Sequence, residues 1–227
     1  MHYFVMSLLL DLLMPAKCLF CDRLPKRVCE ICSANIGNDP RLVFRSGLVG
    51  FASMGYTASA KSLLRSFKEL GESVLAPVLA SAMAPLVSCF QESPKVLVPI
   101  PSNASSMRER GYNPAELLAR ELCRNLPGVR WVNALTRVRE TLDQSKLTPN
   151  ARIENQTGSM DARSGTARVL LIDDVVTTGA TLLAATRELQ KAGYFVEGFL
   201  TFAETERKGC TLTTQASLPA DGGTSWN

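Results

Sequence analysis

Short apolar runs and helical repeats of apolar residues alternate along the chain. The runs from Leu48 to Tyr56 and from Lys95 to Ile100 are typical of strands, and Pro101 stops the second one. Between them, Thr57 to Leu70 has the period of a helix. The pattern predicts that the inward face of this helix consists of Leu63, Leu64, Phe67 and Leu70.

Two more helices are predicted in the first half of the chain. Glu72 to Cys89 is an apolar helix that Pro77 and Pro85 are expected to divide or kink. A second helix runs from Pro114 to about Leu126, because Asn113 is a good N-cap and proline suits the first helical position.

A buried strand followed directly by two acids begins at position 169. Val169 to Ile172 is a short apolar run of the kind that forms a parallel strand covered on both faces. If the strand ends there, Asp173 and Asp174 lie at its carboxyl edge, where open α/β sheets bind their ligands. Two adjacent carboxylates suit a pair of ribose hydroxyls, bound directly or through a hydrated Mg²⁺.

The segment after the acids has the composition of a phosphate-binding loop. Thr177 to Thr181 supplies hydroxyl side chains and one glycine just before a helical repeat that includes Leu182 and Leu189. Free N–H groups at the start of a helix attract phosphate. An ordinary turn and capped helix uses the same residue types. The order of the whole run from Val169 to Thr181 favours a site for a phosphorylated sugar.

Four cysteines near the N-terminus form two pairs, Cys18 with Cys21 and Cys29 with Cys32. This spacing is typical of a tetrahedral zinc site, and a short region with few apolar residues needs such a staple to fold. Disulfides are the alternative and would fit a secreted chain. The remaining cysteines are odd in number, which favours reduced thiols and a structural zinc ion.

Two arginines follow the strand that ends near Ile100. Arg108 and Arg110 are predicted to lie in a loop at the carboxyl end of that strand, on the same side as the two acids. Arginine there suits a pyrophosphate group. Surface arginines without a ligand are the alternative.

The chain of 227 residues has a formal net charge of +4, and its basic excess is central: residues 41–160 contain 15 basic and 9 acidic residues. Such an excess attracts phosphates on a small substrate or on nucleic acid, and it also occurs on a simple solvated surface. Few aromatic residues are available as platforms for stacking bases.

The N-terminal segment from Met1 to Met14 is apolar. It lacks a cationic start, contains Asp11 and is too short to span a bilayer. Lys17 directly before Cys18 argues against a lipoprotein cleavage site. We expect a short amphipathic helix packed on the zinc module, no stable membrane insertion and a cytoplasmic protein.

The run from Val169 to Thr181 matches, position for position, the signature of type I phosphoribosyltransferases, which bind phosphoribosyl pyrophosphate. The resemblance implies that Asp173 and Asp174 hold the ribose hydroxyls. It implies that the 5′-phosphate is bound by Val176, Thr177, Thr178, Gly179, Ala180 and Thr181.

Further segments resemble the ComF/GntX family, the competence-protein branch of the phosphoribosyltransferase-like proteins. These segments are Val98 to Pro101, Arg108 to Asn113, Leu117 to Ala119, Ser66 to Lys68 and the region from Arg137 to Asn155. That family has a four-cysteine zinc module at its N-terminus. The resemblance implies that Lys68, Arg108 and Arg110 contact the substrate.

These features predict an α/β fold, with a type I phosphoribosyltransferase-like parallel sheet flanked by helices and a small zinc module. We expect residues 1–40 to form the N-terminal helix and zinc module, 41–205 the main domain and 206–227 a disordered tail. A strand is predicted near Val129 to Leu135. Residues 139–162 are expected to be mobile without ligand and to close over it.

The resemblance implies that the chain binds phosphoribosyl pyrophosphate or a nucleotide with Mg²⁺ and acts in DNA uptake, natural competence or the use of imported DNA. Single-stranded DNA or a DNA-uptake protein is the expected partner. The alternative is an active phosphoribosyltransferase in nucleotide salvage or metabolism with an unknown acceptor. No residue stands out as a general base, since the only histidine, His2, lies at the terminus.

Overall fold

A computed structural model of the chain describes residues 16–90, 95–140, 151 and 155–205. The expected N-terminal helix, the tail beyond residue 205 and much of the segment 139–162 lie outside these ranges. No helix within the described ranges has the length and apolar content needed to cross a membrane.

The described residues form an alternating series of helices and strands. The helices are α1 (Glu30–Ser33), α2 (Ala58–Lys68), α3 (Ala76–Met83), α4 (Ala104–Arg110), α5 (Pro114–Asn125) and α6 (Ala180–Lys191). Short 3₁₀ helices, Ser73–Leu75 and Ala84–Cys89, flank α3. The strands are β1 (Arg41–Arg45), β2 (Leu48–Gly55), β3 (Val96–Pro99), β4 (Arg130–Trp131), β5 (Leu135–Arg137), β6 (Met160–Ala162), β7 (Arg168–Val176) and β8 (Phe195–Glu204).

One six-stranded sheet organises the main domain, with the strand order β1-β2-β8-β7-β3-β4. Only β1 runs antiparallel to its neighbour, β2, and every other neighbouring pair in this sheet is parallel. Strands β5 and β6 form a separate antiparallel pair. The predicted α/β fold with a mostly parallel sheet is therefore confirmed.

Helices cover both faces of this sheet. On one face, Phe67 of α2 and Leu118 of α5 pack in the same apolar cluster as Ile172 of β7. On the other face, Leu182 of α6 packs in a second cluster with Leu171 of β7. The residues from Val169 to Ile172 alternate between the two clusters, which explains why this apolar run is buried without a polar interruption.

The strand that carries the two acids is longer than predicted. β7 extends to Val176 because β8 pairs with it as far as Glu204, whereas the pairing with β3 ends at Ile172. Asp173 and Asp174 therefore lie within a strand and not after one, but beyond the last residue that β3 pairs. They still lie at the carboxyl edge of the sheet, where β7 continues beyond the end of its shorter neighbour β3.

Three local predictions are wrong. Arg108 and Arg110 lie in a seven-residue helix, α4, and not in a loop, and Gly111 ends that helix with a φ of 84°. Leu70 is 61% exposed because α2 ends at Lys68 and the chain turns at Gly71, where φ is 71°. The single strand expected near residues 129–135 is split between β4, in the large sheet, and the start of β5.

The cysteine-rich segment packs directly on the main domain. Val28 is buried in the same cluster as the helices of the first face, and Leu19, Phe20 and Ile36 lie against that cluster. The Arg27 guanidinium donates two hydrogen bonds to the Glu72 carboxylate, at 2.6 and 2.5 Å. The segment before β1 therefore shares its apolar contacts with the sheet and its helices.

Candidate functional site

The four cysteines predicted as metal ligands lie together. Their sulfur atoms are all within 4.8 Å of one another, and the Sγ atoms of Cys21 and Cys29 are 3.5 Å apart. Thiolates at tetrahedral positions around a zinc ion lie roughly 3.8 Å apart, given Zn–S bonds of about 2.3 Å. None of the described cysteines forms a disulfide. The cluster of Cys18, Cys21, Cys29 and Cys32 can thus hold one metal ion.

The pKa values of these thiols also favour a cation bound between them. Burial raises the pKa of Cys18, but hydrogen bonds from backbone N–H groups, led by that of Cys29, outweigh it and lower this pKa to about 6. The pKa of Cys32 is raised to about 12 by its hydrogen bond with Cys21, by burial and by the neighbouring charge of Cys18. Four thiols this close cannot all ionise unless a positive charge lies between them.

The two acids of β7 have different surroundings. Asp174 is buried, and both of its carboxylate oxygens lie close to the ammonium of Lys68, at 2.9 and 2.8 Å. Asp173 is half-buried, and its Oδ1 accepts a hydrogen bond from the Asp174 N–H at 2.9 Å. Burial lowers the pKa of Lys68, but the charges of Asp174 and Asp173 outweigh it and the net shift is upward. Lys68 is therefore a charged counterion to the pair.

Asp173 gains its proton far more readily than an ordinary carboxyl group. Burial and the negative charge of Asp174 raise its pKa to about 7, although the positive charge of Lys68 opposes this. At neutral pH the protonated and ionised forms of Asp173 are therefore populated to similar extents. A bound cation or a ligand that donates hydrogen bonds would favour the ionised form.

The segment predicted to bind phosphate connects β7 to α6. Gly179 has a φ of 84° and precedes the first residue of the helix, Ala180, whose N–H is 3.3 Å from the Thr178 hydroxyl. Helix α6 has 12 residues, and its N-terminus, the positive end of the helix dipole, lies at this loop. The helix predicted after this segment is confirmed, and it begins at Ala180, within the segment.

A cavity of about 820 Å³ lies between α2 and α4 and reaches β7 at Val175, beside the acids. Its walls are rich in basic side chains from the two helices, with two glutamates between them. The charged lining residues are Lys61, Arg65, Lys68, Glu69, Glu109 and Arg110. Such a lining attracts anionic groups to the edge where the carboxylates lie.

The two predicted arginines have different surroundings. Arg110 lines the cavity, and its positive charge acts on Lys68 and Tyr112. The side chain of Arg108 is 73% exposed and lies 3.7 Å from Glu140. The structure thus brings Arg110, but not Arg108, into the cavity wall.

Two residues contribute to the site although the sequence analysis did not predict them as site residues. The Tyr112 hydroxyl donates to the carbonyl of Phe67, the residue just before Lys68, and the two rings contact each other at an interplanar angle of 40° with centroids 5.6 Å apart. Arg137 donates to the carbonyl of Pro101, at 3.2 Å, and is close enough to Asp173 for that charge to offset part of the lowering of its pKa by burial. Their membership of family-like segments was the one signal available in the sequence.

A family model described as the phosphoribosyl transferase domain matches residues 78–205, more than half of the chain. The chain therefore belongs to the phosphoribosyltransferase family, as the run from Val169 to Thr181 predicted. Within that family, similarity to two competence proteins, one of Haemophilus influenzae and one of Bacillus subtilis, supports a ComF-like member of the type I phosphoribosyltransferases.

Competence protein F of Haemophilus influenzae is 33% identical over 105 residues, which cover 44% of this chain and 46% of that protein. Competence protein ComFC of Bacillus subtilis is 33% identical over 144 residues, 61% of this chain and 56% of that protein. The chain thus spans about half the length of the curated relatives it matches. An adenine phosphoribosyltransferase structure from Leishmania donovani aligns with 68% of this chain and 83% of its own, at 14% identity and a TM-score of 0.32, too distant to support the assignment.

Removing one cysteine of the cluster should release the metal and destabilise the main domain. We expect Cys29→Ser to lose bound metal and to lower the unfolding midpoint by more than 5 °C, because Val28 and its neighbours pack on the domain core. Metal content by mass spectrometry and thermal unfolding measure both effects. Cys89→Ser, an exposed position outside the cluster, is the matched control. An unchanged midpoint in a metal-free protein would contradict this coupling.

The raised pKa of Asp173 predicts that the protein loses stability as pH rises. The folded state keeps a proton up to about pH 7 that the unfolded chain releases near pH 4, so the free energy of unfolding should fall between these values. In Asp173→Asn this fall should be smaller, and at pH 8 the free energy of unfolding of the variant should exceed that of the wild type by about 4 kcal/mol, since each of about three pKa units corresponds to about 1.36 kcal/mol.

Urea unfolding at pH 5 and pH 8 measures this difference, with Asp161→Asn as an exposed carboxylate control. If the difference between Asp173→Asn and the wild type is the same at both pH values, Asp173 is ionised throughout and the assignment is wrong.

Proposed function

We propose that this chain binds phosphoribosyl pyrophosphate, or a nucleotide with the same phosphoribosyl group, together with Mg²⁺. The observation that carries the proposal is the placement of Asp173 and Asp174 at the carboxyl edge of β7, between a basic cavity and the loop at the head of α6. These three features match the three parts of such a ligand: the carboxylates match the ribose, the basic cavity matches the pyrophosphate, and the loop matches the 5′-phosphate.

Each part of the ligand has its own protein groups in this proposal. Asp173 and Asp174 bind the ribose hydroxyls, and a hydrated Mg²⁺ is held through their carboxylate oxygens and the ligand itself. The residues from Val176 to Thr181 bind the 5′-phosphate at the positive end of α6. Lys68 and Arg110 lie on the cavity side and bind the pyrophosphate. Arg108 joins them only if its side chain leaves Glu140.

Ligand binding also changes the role of Lys68. In the protein alone it neutralises Asp174 at 2.8 Å. Once Mg²⁺ or the ribose hydroxyls satisfy Asp174, the ammonium is available to a phosphate oxygen. The same cation thus stabilises the acid pair without ligand and the pyrophosphate with it.

We further propose that the four-cysteine cluster binds zinc in a structural role, since four thiolates leave no open position for catalysis. The cellular role proposed is in DNA uptake or the use of imported DNA, as the names of the two competence proteins suggest. Lys61 and Arg65, on the cavity side of α2, would then meet single-stranded DNA or a DNA-uptake protein. A cytoplasmic location agrees with that role.

Loss of the acid pair should abolish ligand binding and leave the metal cluster intact. We expect Asp173→Ala combined with Asp174→Ala to weaken binding of phosphoribosyl pyrophosphate, measured calorimetrically with Mg²⁺, by more than about 100-fold, because two charged hydrogen-bond acceptors disappear. The zinc content should not change. Asp161→Ala serves as the matched control. Undiminished affinity in the double variant would sink the assignment of the pocket.

The second candidate function is catalysis of phosphoribosyl transfer. Beside the acids, the cavity has room for an acceptor, and an adenine phosphoribosyltransferase of Polynucleobacter asymbioticus is 55% identical over 38 residues, 17% of this chain and 22% of that protein. In such a reaction the acceptor nucleophile forms a bond to the ribose carbon while the bond to pyrophosphate breaks. The protein contributes positioning and electrostatic stabilisation of the leaving group.

Pyrophosphate release separates a transferase from a ligand sensor. A transferase should release pyrophosphate from phosphoribosyl pyrophosphate with Mg²⁺ only when a suitable acceptor is added, and Arg110→Ala should slow that release about tenfold or more. A panel of purine and pyrimidine bases and small amines serves as the acceptors. Tight binding of the donor without release in any mixture would favour the sensor.

A further inference from the structure

The turn between β1 and β2 lies against the loop that follows the two acids. Arg45, the last residue of β1, is only 7% exposed although it carries a full charge. Its guanidinium donates to the carbonyl of Thr177 at 2.9 Å and to that of Thr205 at 2.8 Å. The Glu204 carboxylate accepts a further bond from it at 2.8 Å and neutralises its charge.

The next residue of the turn holds a second carbonyl of the same loop. The Ser46 hydroxyl donates to the Gly179 carbonyl at 2.9 Å. The approach is close: a Cβ atom on Gly179 would lie 2.6 Å from Ser46 Oγ and 2.9 Å from Arg45 Cβ. Together Arg45 and Ser46 hold the carbonyls of Thr177 and Gly179, and the Gly179 carbonyl also accepts the first hydrogen bond of α6, from the Leu183 N–H at 2.9 Å.

This direction determines where the neighbouring N–H groups point. In a trans peptide the C=O of one residue and the N–H of the next lie on opposite sides of the chain. When the carbonyls of Thr177 and Gly179 face the β1–β2 turn, the N–H groups of Thr178 and Ala180 face away from it, and the Ala180 N–H meets the Thr178 hydroxyl there at 3.3 Å. That is the side on which a phosphate at the head of α6 would lie.

We propose that Arg45 and Ser46 are positioning residues for the 5′-phosphate: by holding two carbonyls from behind, they aim the loop N–H groups at the phosphate. The inference rests on the proposed binding of a phosphoribosyl ligand. Arg45 acts without touching the ligand, since its guanidinium donates to three carbonyls and to Glu204. The sugar phosphate, not the pyrophosphate, is the part of the ligand that depends on them.

The test compares two partial ligands, ribose 5-phosphate and inorganic pyrophosphate, each with Mg²⁺ and measured by calorimetry. Ser46→Ala should weaken ribose 5-phosphate about threefold or more, and Arg45→Gln should weaken it about tenfold or more. Both variants should bind pyrophosphate within about twofold of the wild type. Gly179→Ala should give the same selective loss, because its new Cβ meets the turn.

Arg41→Gln is the matched control, because Arg41 also contacts Glu204, at 3.4 Å, and is an arginine of the same strand. It should leave both affinities close to those of the wild type. Equal losses for the two ligands, or unchanged affinity for ribose 5-phosphate in folded variants, would overturn the inference. If Arg45→Gln does not fold, Ser46→Ala decides. A wild-type protein that binds neither ligand would refute the proposed function itself, a result visible before any variant is made.

Discussion

The ion pair between Lys68 and Asp174 is the contact on which the arrangement of the site depends. Two consecutive carboxylates at the edge of a buried strand repel each other and lose hydration, so one of them needs a counterion. Lys68 provides it from the end of α2, 106 residues away in sequence. The same contact fixes one wall of the cavity relative to β7. Stability and the position of a basic group are thus set by a single interaction.

Other contacts support this pair from behind. Tyr112 holds the carbonyl of Phe67 and so fixes the end of α2, while Asn113 donates to the Ile100 carbonyl at 2.9 Å and caps α5 through Ala115. One short segment therefore connects the end of β3 to the helix that carries Lys68. The basic cavity, the acids and the loop before α6 keep their relative positions because these links cross between different elements.

Local patterns explain which parts of the fold could be predicted. The apolar run of β7, the cap at Asn113 and the spacing of the cysteines are properties of neighbouring residues, and each was recognisable in the sequence. The true end of β7 was not, because it depends on pairing with β8 and not on the residues of β7 themselves. Helix α4 was missed because its residues have no apolar period, and Leu70 because a glycine turn ends the helix early.

The same reasoning explains the limits at the site. Asp173, Asp174 and the loop are contiguous in sequence, so their motif could be recognised there. Arg45 reaches the loop across 132 residues, and Arg137 reaches Gln156 through a bond of 3.2 Å. Neither contact has a signature in the surrounding sequence, because an arginine at the end of a strand is equally common on a bare surface. Only the folded chain shows which arginines are buried and what they hold.

The paired hydrogen bonds from Arg27 to Glu72 join the cysteine-rich segment to the residue beside Gly71, which lines the cavity. The amino-acid composition changes near residue 40, but hydrogen bonds and apolar contacts still join the residues before this point to those after it. A chain shortened to begin at β1 would leave the Glu72 carboxylate without its guanidinium and uncover the apolar surface that Val28 protects. The cysteine-rich segment therefore cannot be exchanged for another module without loss of these contacts. Over evolutionary time, its loss or replacement would have to be matched by changes at the cavity rim.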